Sequence, residues 1–97
     1  MGLSIYIENQ IHGRSYAGKD AGIWLSRFLP LASLGSYLKG IDEYGDTMFN
    51  IPQMKKLLKE LLDILQGHPE LNVEISNFRE LIENIIRHGG YIWISGD

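Results

Sequence analysis

The chain of 97 residues has no cysteine, only 3 prolines and no surplus of positive charge. Without cysteine there are no disulfides, no thiolate metal ligands and no thiol nucleophile. No apolar run approaches the roughly 18 residues of a spanning helix. The start, Met1-Gly2-Leu3-Ser4-Ile5-Tyr6, lacks the basic and long apolar regions of a signal peptide, so a soluble, cytoplasmic protein is expected. Gly2 is no myristoylation signal, because Tyr6 stands where Ser or Thr is needed. With 9 Lys+Arg against 12 Asp+Glu the net charge is −3, and cations gather only at Lys55, Lys56 and Lys59. Nucleic acid needs a sustained positive field, so neither it nor a membrane is an expected partner. What remains, 44% hydrophobic and 22% charged residues, is the composition of a globular chain, read as one domain over residues 1–97.

Leu3, Ile5 and Ile7 alternate with Ser4, Tyr6 and Glu8, the pattern of a strand with one buried face. Ile11 to Tyr16 reads as a more polar return strand. Asp20 serves as N-cap for a short helix over 21–29, with Ile23, Trp24 and Phe28 apolar and Pro30 as its stop. Residues 31–50 are irregular, and Leu34, Ser36, Leu38 and Gly40 fit a strand there. Asn50, Pro52 and Gln53 announce a capped helix, and Met54, Leu57, Leu58, Leu61, Leu62 and Leu65 form its stripe up to Gly67. Asn77 and Glu80 have cap-box spacing for a second long helix ending at His88, with Gly89 as its left-handed C′ residue. Tyr91 to Ser95 is aromatic and β-branched, a terminal strand. A strand at each end predicts an α+β two-layer sandwich: a small, mostly antiparallel sheet on two long helices and one short one.

His12, His68 and His88 lack metal-ligand spacing, no Gly-x-Ser-x-Gly elbow occurs, and the partial phosphate-loop match at Gly13 to Lys19 has Asp20 where a hydroxyl should follow. No catalytic residue, metal or cofactor is expected. The segment Ile41 to Asn50 stands out, with Asp42, Glu43 and Asp46 crowded around Gly45 and Tyr44 among them. Three uses fit. One is a turn in which Asp42 and Asp46 bond backbone N–H groups and Gly45 takes positive φ; the second is a recognition loop for a basic partner; the third is a cation site, though not an EF-hand, because no Glu closes a twelve-residue loop. Tyr37, Tyr44, Tyr91 and Trp93 suit the second use, and Asp97 would add charge if the terminal strand ran beside the loop.

Ser36-Tyr37-Leu38-Lys39-Gly40-Ile41-Asp42-Glu43-Tyr44-Gly45-Asp46-Thr47-Met48-Phe49-Asn50, then two helices, then Tyr91-Ile92-Trp93-Ile94-Ser95-Gly96-Asp97, resembles a group of small bacterial proteins sharing an Ile-Asp-x-Tyr-Gly-Asp-Thr-x-Phe-Asn core and a hydrophobic strand ending in Gly-Asp. In size, acidity and two-layer character the chain also resembles immunity proteins of bacterial toxin systems such as contact-dependent growth inhibition. That resemblance implies a non-enzymatic inhibitor blocking the basic active site of a cognate toxin, a nuclease among the candidates; the acidic segment, which can mimic phosphate, gives Asp42, Glu43, Tyr44, Asp46 and Asp97 as the expected contacts. The alternatives are a small enzyme or ligand-binding domain pairing Asp42 or Asp46 with His12 or His88, and a homodimer joined through an edge strand.

Overall fold

A computed structural model describes residues 2–96. Strand β1 (Leu3–Glu8) turns back through β2 (Arg14–Tyr16), and helix α1 (Lys19–Phe28) follows. A long connection then leads to β3 (Asp46–Phe49), α2 (Ile51–Gly67), α3 (Asn72–Arg87) and β4 (Tyr91–Gly96). The four strands form one antiparallel sheet in the order β2-β1-β4-β3, so the first and last strands are its centre. The expected two-layer α+β sandwich is the observed one.

Period-2 alternation assigns the faces. Ile5, Ile92, Ile94 and Phe49 turn inward and are buried in one cluster with Leu25 and Phe28 of α1, Met54, Leu57 and Leu61 of α2, and Ile75, Phe78, Ile82 and Ile85 of α3. Burying each such side chain stabilises the fold by about 1.5–3 kcal/mol before the loss of chain entropy. Phe28 and Phe78 meet edge to face at 5.7 Å, tying α1 to α3. Helix α1 lies so close to β1 that a Cβ on Gly22 would fall inside the contact distance of the Leu3 carbonyl oxygen, which explains a glycine in mid-helix.

The cap of α2 forms as the sequence announces. Gln53 N–H donates to Asn50 Oδ1 at 3.0 Å and Asn50 N–H donates to Gln53 Oε1 at 2.9 Å. The C-terminus of α3 also follows expectation: Gly89 has φ 70°, Gly89 N–H donates to Ile86 O and Gly90 N–H to Ile85 O.

Several expectations fail at boundaries. Helix α3 begins at Asn72, so Asn77 and Glu80 are interior rather than a cap; the tight turn Pro69–Leu71 delivers the chain one turn earlier, and burial of Ile75 extends the stripe. Helix α1 starts at Lys19 after Gly18 (φ 96°), leaving Asp20 in the first turn where the helix dipole favours it, and Ile23 is 49% exposed while Ala21 and Leu25 are buried. Leu34 to Gly40 is no strand. Leu34 is exposed and Leu38 buried, and the segment is folded into turns by Ser36 N–H to Ser33 O and Ile41 N–H to Leu38 O. Glu60 of α2 fixes this segment by accepting from the N–H groups of Tyr37 (2.9 Å) and Leu38 (3.0 Å). The return strand is only Arg14–Tyr16, because the hairpin turn, with His12 at φ 64°, occupies the residues before it.

Candidate functional site

The acidic segment sits where β3 and β4 meet. Asp46 does not belong to the turn; it opens β3 and pairs with Ser95. The turn is residues 42–45, and its backbone is fixed from three sides. Asp42 Oδ1 accepts from Tyr44 N–H at 2.9 Å, Asp42 N–H donates to Thr47 Oγ1 at 3.1 Å, and Gly96 N–H donates to Gly45 O at 2.7 Å. Gly45 does not take the expected positive φ. Its missing side chain instead makes room for the Asp42 carboxylate, whose oxygen a Cβ there would strike. The turn reading holds for Asp42, which spends one oxygen on the turn and holds its neighbours in place.

The terminal strand runs beside the turn as far as Gly96, where a Cβ would collide with the Glu43 carbonyl, an adjacency the sequence left open. Asp97 itself lies outside the described residues. Glu43, Tyr44 and Asp46 are exposed, Tyr44 at 71%. None of Asp42, Glu43 and Asp46 has an ion-pair partner among the described residues. Asp42 and Glu43 line a depression of about 480 Å³ together with Pro30, Lys39, Ile41 and Tyr44, and the Lys39 ammonium donates to the Leu29 carbonyl at 3.4 Å.

No known family model, curated protein or solved structure matches this chain.

The four aromatic residues singled out by sequence are not one group. Tyr37 packs on Phe49 at 5.8 Å, Tyr44 stands on the turn, and Tyr91 and Trp93 project from the sheet face opposite the helices. What the sequence reading missed is that Tyr6, Tyr16 and Met48 share that face. Register was the usable signal: Tyr6 pairs with both Tyr16 and Trp93, and Trp93 with Met48. Pairing the two terminal strands on paper would have placed Tyr6 near Trp93.

The histidines are elsewhere. His12 Nδ1 lies 3.4 Å from Glu8 Oε2, and His88 Nδ1 donates to Asn84 O at 2.8 Å. Both are at the Tyr91 end of β4, whereas Asp46 is at the Ser95 end, so the carboxylate and histidine pairs imagined for acid and base are separated by the length of the strand. Glu8 was also unforeseen. It is only 6% exposed; Arg14 Nε donates to it at 2.7 Å, and this hydrogen bond holds its carboxyl below the ordinary range, against the opposing effect of burial and with help from His12. Among the described residues no group of three or more His, Asp or Glu is placed to hold a metal ion, and no helix is long and apolar enough to cross a membrane.

Proposed function

We propose that this chain is a non-enzymatic, cytoplasmic protein-binding module of the immunity type, which neutralises a cognate toxin by covering a basic active site with the 42–46 surface. The observation that carries the reading is the crowding of three carboxylates onto one ordered segment; Asp20, Asp63, Glu80 and Glu83 also lack an ion pair among the described residues, but they are spread over α1, α2 and α3. Glu8 is committed to Arg14, Glu74 to Arg27 across α1 and α3, and Glu60 to two backbone N–H groups. Asp42, Glu43 and Asp46 stand on a backbone that is already ordered, and none of them forms an ion pair with a cation of the described residues. Ordered, exposed and unpaired negative charge binds a cationic surface with little further loss of entropy and speeds its encounter. A nuclease active site, built to take a polyanion, is one such surface.

The test is co-purification from the native cell followed by charge reversal. A toxin domain should accompany the wild-type chain at near-equal stoichiometry. Asn at Asp42 preserves the acceptor for Tyr44 N–H, so Asp42→Asn combined with Glu43→Lys and Asp46→Lys should abolish the complex while the circular dichroism spectrum stays native. Unchanged binding by that folded variant would sink the proposal.

A further inference from the structure

The helices all pack on one side of the sheet, and among the described residues no element covers the other side. That open face is ordered in rows by the strand register. The middle row runs Tyr16, Tyr6, Trp93, Met48, one residue from each strand, and so crosses the whole sheet. Three gaps between strands make it about 14 Å wide between outer backbones. Tyr6 and Tyr16 touch at 5.5 Å between ring centroids, and Tyr16 (55%) and Met48 (44%) remain largely exposed. The row on one side is Arg14, Glu8 and Tyr91; the row on the other is Ser4, Ser95 and Asp46, which continues into the 42–45 turn.

Charge on this face has one sign to spare. Among the described residues its single cation is Arg14, which is bound to Glu8 at 2.7 Å and lies 3.8 Å over the Trp93 ring. Asp46 has no ion pair among the described residues, and Asp42 and Glu43 extend the negative edge. Tyr, Trp, Met and an engaged Arg with charge at the margin is the composition of a protein interface centre with its rim.

We infer that the open sheet face is the centre of the same docking surface, and that it takes a protein segment presenting apolar side chains flanked by arginine or lysine: the apolar groups on the Tyr16-Tyr6-Trp93-Met48 row, the cations on Asp46, Glu43 and Asp42. This rests on the reading of the acidic turn given above and extends it to the specificity of the partner. Bases also stack on aromatic sheet faces, but a nucleic acid would bring phosphates to the carboxylate margin with no free cation to receive them. A second copy of the chain would bring acidic margins of its own.

The experiment is a nitrogen-15 NMR titration of the full chain with a synthetic peptide of alternating arginine and leucine. Parallel titrations use the same peptide with glutamate for arginine, and a short oligothymidylate. Shifts should concentrate on Tyr6, Tyr16, Met48, Trp93 and residues 42–46 with the arginine peptide only. Tyr16→Thr with Met48→Thr keeps strand propensity and alters the most exposed members of the row; it should raise Kd about tenfold or more, as should Asp42→Asn with Glu43→Gln and Asp46→Asn. If only the carboxylate variant weakens binding, the sheet face is not part of the surface and this inference fails while the proposed function stands. If only the face variant does, the sheet face is upheld and the acidic-turn reading fails. If neither does, both fail. Binding of the glutamate peptide or the oligothymidylate at the face, or concentration-dependent shifts there without peptide, overturns the partner assigned.

Discussion

Gly96→Ala is the substitution through which fold and candidate site are most tightly joined. A Cβ at residue 96 would lie 2.9 Å from the Asp42 carbonyl oxygen and closer still to the carbonyl of Glu43, all of them backbone atoms. The Asp42 oxygen alone must retreat by half an ångström to reach ordinary contact at 3.4 Å. The retreat also stretches the 2.7 Å bond from Gly96 N–H to Gly45 O. Overpacking costs about 1–3 kcal/mol, and the weakened hydrogen bond about 0.5–1.5 kcal/mol. Removing a glycine from the unfolded chain returns about 0.4–1 kcal/mol. The net expectation is a loss of about 2 kcal/mol, which for a chain of this length lowers Tm by about 10 °C. Urea unfolding followed by the fluorescence of Trp24 and Trp93 measures the loss, and amide shifts locate it. They should change at residues 42–46 and leave α2 and α3 untouched. Wild-type stability with unmoved shifts in the turn would refute the claim that the terminal strand holds it in place.

Two other glycines separate packing from propensity. Gly22→Ala should destabilise by about 1–3 kcal/mol despite the helix propensity it gains, because its Cβ meets the Leu3 backbone, whereas Gly67→Ala, with nothing within 4 Å, should stabilise by up to about 1 kcal/mol; thermal melts of the pair decide it. Asn50→Ala removes the side chain that receives Gln53 N–H and should cost about 1–2 kcal/mol in chemical denaturation. Glu8, with its carboxyl lowered in the folded state, contributes stability that is present above the ordinary carboxyl value near 4.5 and lost as pH falls through the folded one. Acid titration of Tm should therefore fall less steeply below pH 4.5 for Glu8→Gln than for wild type.

Elements whose signals are local were legible in the sequence. The terminal strands and the capped start of α2 are specified by residues within a few positions of one another, and the structure reproduces them. Strand β3 was not recognised, because its four residues alternate too briefly to stand apart from a turn leading into Asn50. The start of α3 was misplaced because Asn72, Ser76 and Asn77 are weak helix formers, and only the burial of Ile75 against the core makes that turn helical. The acidic turn was visible as composition. Its freedom from internal ion pairs was not, and neither was the aromatic row, which exists only once β1 and β4 are paired in register.

Asp42 and Glu43 of the turn, with Asp46 at the start of β3, are proposed to make an electrostatic contact with a cationic protein. The most direct measurement is the Kd of the co-purified partner across a range of ionic strength, for wild type and for Asp42→Asn/Glu43→Gln/Asp46→Asn. The wild-type Kd should rise steeply with salt, and the variant should bind more weakly at low salt with a flattened dependence, the two converging at high salt. Equal Kd values with equal salt slopes would contradict the account.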